Sequence, residues 1–240
     1  MSIERPQLVN DEIYHVIIRG TADMTIFKNQ SDYYRMVFSI YEFNNAKPVH
    51  IRDKRESLNR DCRGQTSAIS TVVSGFGERD LLVEILAFCF MPNHIHLLLR
   101  QTKDNGITKF MRKVGTGYAG YFNRKYEKKG HLFQGRFWAT RVKTDEQLQT
   151  AFVYIHSNPI SLLEPKWKEK GIKDAEKTIK FLENHKWSSY LDYIDKKNFP
   201  SVINKDFLSD VMGGKNGCLR SVKGWIMHNK VDAKKEFAEV

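Results

Sequence analysis

The sequence predicts an α+β protein: an antiparallel sheet with helices packed on one face, followed by a helical C-terminal extension. Three observations carry that expectation. Strand-like and helix-like segments follow one another in the order strand, helix, two adjacent strands, helix, strand, helix. Only the step Met91-Pro92-Asn93 separates the two middle strands, and proline cannot donate to a ladder while asparagine suits a turn. No internal repeat or low-complexity tract interrupts the 240 residues, a length that fits one domain with an appendage. We place the domain at 1–165 and the extension at 166–240, where the pattern becomes more helical and looser.

The elements can be justified in order. Glu12 to Arg19 (EIYHVIIR) is β-branched and aromatic, ends at Gly20, and reads as a first strand. Ser31 to Phe43 carries Tyr34, Val37, Phe38 and Tyr41 at helical spacing. Pro48 to Ile51 is a short extended piece. The polar stretch from Arg52 to Arg79 reads as a long loop or insertion. Leu81 to Phe90 and His94 to Arg100 are the paired strands. A helix from about Ile107 to Lys128 tolerates Gly115, Gly117 and Gly120, and Arg136 to Val142 forms another strand. Thr144-Asp145-Glu146-Gln147 is a capping-box pattern that opens a helix through Ser157, with Pro159 as its stop.

Composition narrows the partner. Thirty-nine Lys and Arg against 28 Asp and Glu leave a net charge of +11 and a pI near 9.5, a balance that favours a polyanion. Eleven of those cations fall between Lys103 and Lys143 against only Asp104 and Glu127, so the excess is concentrated in one stripe. Such a stripe suits a phosphate backbone. The three cysteines, Cys62, Cys89 and Cys218, are too few and too scattered for a disulfide framework or a zinc site. The N-terminal MSIERPQLVN lacks the apolar core of a signal peptide, and no run approaches a spanning length. A cytoplasmic protein with a nucleic-acid partner and no membrane partner is the expectation.

Two segments carry chemistry. In His94-Ile95-His96, residues two apart on a strand project to one face, so two imidazoles stand side by side while Ile95, Leu97 and Leu99 enter the core. Two neutral imidazoles can hold one divalent cation and leave positions open for substrate. An isolated H-x-H pair also occurs as two ordinary half-buried histidines. Tyr154 and Asn158, four apart on the capped helix, share a face and could supply a nucleophile and an oxygen ligand. Taken alone, that segment reads more readily as a core tyrosine and an asparagine near a helix end.

Six motifs in order turn these fragments into a resemblance. They are Tyr14-His15-Val16-Ile17-Ile18-Arg19-Gly20 with Ile26-Phe27; Phe90 to Leu99; Tyr118 to Tyr126; Gly130 to Phe137; Tyr154-Ile155-His156-Ser157-Asn158-Pro159; and Trp187-Ser188-Ser189-Tyr190. The chain resembles the HUH single-tyrosine transposases, and most closely their REP-associated branch, from about residue 12 to 192. The resemblance implies a ferredoxin-like HUH nuclease fold. It places His94, His96 and Asn158 on the family's metal ligands, with Mg²⁺ or Mn²⁺ as the ion, and Tyr154 on its nucleophile. Tyr118, Tyr121 and Tyr126 match a packing or DNA-facing helix instead. His156 lies about 200° around the helix from Tyr154 and is left out.

The implied reaction is cleavage and rejoining of hairpin-containing single-stranded DNA through a 5′-phosphotyrosine. A tyrosine in water has a pKa near 10, so the site must activate it. Arg19, Arg112, Lys113, Arg124, Lys125, Gln134, Arg136 and Arg141 are the candidate DNA contacts, and Phe122, Phe137 and Trp138 the candidate stacking residues. Family members occur as homodimers and as single chains, and both arrangements stay open. So do a rolling-circle or relaxase-type relative, a domesticated hairpin-binding protein without strand transfer, and a metal-dependent hydrolase that uses water. The 52–79 insertion and the tail after about residue 198 match no motif of the family.

Overall fold

A computed structural model of the chain describes residues 7–49 and 79–228. Its centre is a four-stranded sheet of β1 (Ile13–Arg19), β2 (Val83–Met91), β3 (His94–Gln101) and β4 (Trp138–Val142) in the order β2-β3-β1-β4. All three pairings are antiparallel. Helix α1 (Gln30–Glu42) links β1 to β2, and α2 (Gly106–Lys125) links β3 to β4, which gives the split βαβ arrangement of a ferredoxin-like sheet. The α+β class and the antiparallel sheet are those expected. The expected 52–79 insertion, apart from Arg79, and the end of the 48–51 piece lie outside the described residues.

The β2–β3 hairpin turns through Pro92 and Asn93, with Met91 paired to His94. Its carbonyls are used from outside: Gly20 N–H donates to Asn93 O and Ile26 N–H to Pro92 O, both at 2.7 Å. These bonds pin the loop after β1 against the turn that precedes the histidines. A register shift between Ile85 and Ala87 inserts one residue into β2. The shift changes the phase of the strand, so Val83, Ile85, Phe88 and Phe90 share one core while Leu86, Ala87, Cys89 and Met91 share the other.

Helices α1 and α2 cover one face, over Tyr14, Val16, Ile18, Ile95, Leu97 and Leu99. Gly117 permits their close approach, since a Cβ there would lie 2.3 Å from the Phe43 ring. The opposite face is not left to solvent, which a layer of helices on one face alone would require. It is covered by α3 (Asp145–Ser157) and by the later helices α4 (Ile160–Leu163), α5 (Trp167–Lys170), α6 (Ala175–Leu182), α7 (Tyr190–Tyr193), α8 (Asp206–Met212) and α9 (Gly214–His228). Leu208, Cys218, Val222 and Ile226 from the last two are buried in the same cluster as Phe152 and Tyr154, so one apolar core runs across residue 165. The segment 187–189 closes the outer side of β2, with Phe90 N–H donating to Trp187 O at 2.8 Å and Ser189 N–H to Phe88 O at 3.0 Å. Strand β4, exposed at Trp138, Thr140 and Arg141, forms the other edge of the sheet.

Candidate active site

The candidate site grows from the register of β1 on β3. Residues opposite one another in an antiparallel pair point to the same face. Arg19 is opposite His94, Ile17 opposite His96 and His15 opposite Leu98, so His15, His94, His96 and Arg19 all face the α3 side. His94 Nε2 and His96 Nε2 lie 2.9 Å apart. The other nitrogen of His96, Nδ1, is 2.9 Å from His15 Nε2, and the His15 and His96 rings stack within 9° of parallel. His94 Nδ1 is held 2.6 Å from Asn93 Oδ1. Burial, with the positive neighbourhood of His94, His15, Lys168 and Arg19 added to it, holds His96 well below the ordinary histidine range. It is therefore a neutral imidazole at neutral pH.

Helix α3 brings Tyr154 onto this cluster. Thr144 Oγ1 caps the helix by accepting from Gln147 N–H at 3.3 Å, while Gln147 Oε1 accepts from Lys143 N–H, one residue before the reciprocal position of a capping box. The Tyr154 ring stands edge-on to His15 and to His96, with centroids 5.7 Å from each. Its exposure is only 5%, and Lys168 on α5 lies over the ring, Nζ 5.5 Å from the centroid. Asn158, also buried, donates from Nδ2 to the Tyr154 carbonyl at 2.9 Å, which orients the amide and leaves Oδ1 as its remaining acceptor. Pro159 does not break the path: Asn158 and Pro159 stay in the right-handed helical region, and a further turn, α4, follows.

The pair of Nε2 atoms suits a cation. Two nitrogens bound to one ion at about 2.1 Å each, at right angles, lie roughly 3 Å apart. The described residues contain no cluster of three or more His, Cys, Asp or Glu side chains placed as a complete metal cage. A cation held here therefore needs oxygen ligands from an amide, water or phosphate. His15 is not one of the convergent ligands, because it addresses the far nitrogen of His96.

The other tyrosines and His156 serve packing. Tyr118 is fully buried and donates to Ile26 O at 2.6 Å, while Tyr121 and Tyr126 donate to the two Asp32 oxygens at 2.9 and 2.7 Å. His156 is buried beside Ser189 Oγ at 2.8 Å, and burial lowers its pKa to about 3. Among the candidate DNA contacts, Arg112, Arg124, Gln134 and Arg136 are exposed. Lys125 is tied to buried Asp32, Lys113 to the carbonyls of Asn45 and Lys47, Arg19 to Asp23 and Arg141 to Glu12. Of the stacking candidates, Trp138 is 46% exposed, whereas Phe122 is fully buried and Phe137 nearly so. Trp138 is opposite Ile17 on β1, on the histidine face of the sheet.

Sequence reasoning missed His15 and Lys168. His15 alternates with Tyr14 and Val16, which signals that it leaves their core, but only strand register shows that it meets His96. Lys168 lies beyond the expected domain end and carried no signal.

Comparison with known proteins follows the same residues. The family model described as "Transposase IS200 like" matches residues 49–158, a stretch that contains His94, His96, Tyr154 and Asn158. A curated protein of Haemophilus influenzae, named as a REP-associated tyrosine transposase, is 33% identical over 89 residues, covering 32% of this chain and 49% of that protein. The chain thus spans about half the length of that relative. The solved structure of a REP-associated tyrosine transposase bound to a REP hairpin aligns with a TM-score of 0.46 and 15% identity, covering 86% of this chain and 93% of that one. A tRNA(His) guanylyltransferase from Saccharomyces cerevisiae aligns at 0.28 and 13%, covering 76% of each chain. Scores this low do not establish a shared fold.

Proposed function

We propose that this chain, which carries the transposase IS200-like match and resembles the REP-associated tyrosine transposases, cuts and rejoins hairpin-containing single-stranded DNA through a 5′-phosphotyrosine at Tyr154. The observation that carries the reading is the convergence of Tyr154 from α3 on the His94–His96 pair from β3, with ring centroids of Tyr154 and His96 5.7 Å apart. Neither segment is sufficient by itself, and the fold brings them together.

His94 and His96 would hold Mg²⁺ or Mn²⁺ through their Nε2 atoms, with Asn158 Oδ1 as the amide ligand. The ion, when bound, polarises the scissile phosphate and offsets the charge that develops on it. His15 and Asn93 fix the two imidazoles from behind. Tyr154 Oη attacks phosphorus, forming the Tyr–O–P bond as the P–O3′ bond breaks; the phenolic proton passes to solvent and the 3′ oxygen takes one up. Lys168, near the ring, favours the phenolate that attacks. The phosphodiester is conserved in the adduct, so another 3′-hydroxyl can reverse the step and join new ends. Arg112, Arg124 and Arg136 supply backbone contacts.

The test uses 5′- and 3′-labelled single-stranded hairpin oligonucleotides from DNA flanking the gene, with Mg²⁺ or Mn²⁺, on a denaturing gel. The expected product is a protein–DNA adduct on the 3′-side fragment that disappears with Tyr154→Phe and with EDTA. Cleavage without an adduct, unchanged in Tyr154→Phe, would identify a hydrolase that uses water. Binding without cleavage would identify a hairpin-binding protein.

A further inference from the structure

A cavity of about 760 Å³ lies on the sheet face opposite the histidines, between the outer side of α2 and the 130–137 segment. That volume is within the ~300–1,000 Å³ range of pockets that take small organic groups. Its wall is built from Phe133 and Phe137, which are 9% and 8% exposed, and from helix positions that include Gly120. Arg112 and Arg136 line it and are exposed, and among the described residues no acidic side chain lines it. Asn123, also in the wall, ties α2 to the 130–137 segment, its Nδ2 donating to Gly130 O at 2.9 Å.

We infer that this cavity holds one unpaired nucleobase of the bound strand, with Arg112 and Arg136 holding the flanking phosphates. The inference rests on the proposed function only in taking single-stranded DNA as the ligand. The chemistry of the wall specifies the rest. An apolar slot suits a flat ring, and guanidinium groups at the mouth suit phosphate. The start of β4 connects the cavity to the catalytic face, since Phe137 lines the cavity while Trp138, the next residue, projects from the opposite face beside Ile17. A strand crossing the exposed β4 edge passes from one aromatic residue to the other.

Gly120 makes the test clean. A Cβ at that position meets nothing within 4 Å, so Gly120→Leu fills the cavity without disturbing the core and improves helix propensity. The probes are fluorescein-labelled dT12 and a strand of twelve abasic deoxyribose phosphates, compared by anisotropy. Wild-type protein should bind dT12 about tenfold more tightly than the abasic strand. Gly120→Leu should lose most of that preference, keep its abasic affinity and melt no lower than wild type. Thr116→Leu, one turn earlier on the same wall, should do the same and stands in if the first variant fails to fold. Equal binding of the two strands by wild type, or an undiminished preference in folded variants, overturns the inference. The tyrosine adduct is read separately. An adduct with no effect of Gly120→Leu on base preference defeats the base pocket alone, whereas a cavity-dependent preference without any adduct defeats the nuclease reading and leaves the pocket standing.

Discussion

Both ring nitrogens of His96 are engaged at once, Nε2 toward His94 and Nδ1 toward His15, each across 2.9 Å. A metal-binding imidazole depends on such a partner for its tautomer and its aim, and loss of the partner typically costs 10–100-fold in metal affinity. His15→Leu should therefore weaken Mn²⁺ binding by about that factor, read by electron paramagnetic resonance titration of free Mn²⁺. His15→Gln, whose amide can still meet Nδ1, should recover much of it. Equal affinity in wild type and His15→Leu would show that His15 only packs. A second histidine makes a pH prediction. His156 has its pKa lowered by burial to about 3, from 6.5 when unfolded. The unfolded chain then takes up a proton below pH 6.5 that the folded chain refuses until near pH 3, so stability falls across that window as pH drops. At pH 5 the loss from this residue is about 2 kcal/mol. The urea midpoint should shift less between pH 7 and pH 5 in His156→Gln than in wild type.

Between elements, Asp32 is the joint that fixes α1 to α2. It closes the capping box of α1 with Asn29 and receives Tyr121, Lys125 and Tyr126 from the end of α2. Burial alone would raise its pKa, but the hydrogen bonds from Lys125, Tyr126, the Lys28 amide and Tyr121 outweigh it and hold the carboxylate below its usual range. A depressed carboxylate contributes stability that is present above pH 3.8 and lost as pH falls through the folded value. Asp32→Asn should cost about 3 kcal/mol near neutral pH, because it removes the charge opposite Lys125 and puts an amide NH2 where one carboxylate oxygen accepts. Thermal melting reads this directly, and a loss below about 0.5 kcal/mol would reduce the cluster to a solvated surface pair. The same elements mark how far sequence carries. Helix α1 was legible because Val37 and its neighbours repeat at helical spacing, and the hairpin because Pro92-Asn93 punctuates two apolar runs. The second covered face was not. The bulge in β2 makes both Leu86 and Ala87 face α3, so the strand reads as continuously apolar and conceals its phase. His15 was hidden for a related reason, since which histidines meet is decided by the pairing of β1 with β3, a long-range register that no local pattern encodes.

At the scale of the whole molecule, the charge of +11 is unevenly available. Helices cover both sheet faces, so the proposed DNA substrate would be met at loops, helix exteriors and the β4 edge. Four of the cations expected there are already occupied: Lys125 with Asp32, Arg141 with Glu12, Arg19 with Asp23, and Lys113 with backbone carbonyls. Arg112, Arg124 and Arg136 are exposed and make no ion pair among the described residues, so they offer their charge to phosphate without first giving up a carboxylate. Counterion release separates the two groups. For single strands, the logarithm of the binding constant falls against the logarithm of salt concentration with a slope of about 0.7 per neutralised phosphate. Replacing Arg112, Arg124 and Arg136 together by alanine should flatten that slope by about 2 and weaken dT12 binding most at low salt. Lys125→Ala should instead lower the melting temperature and leave the slope nearly unchanged, because its charge is spent on Asp32. A steep slope that survives the triple substitution would move the DNA path away from the α2 exterior and the β4 edge.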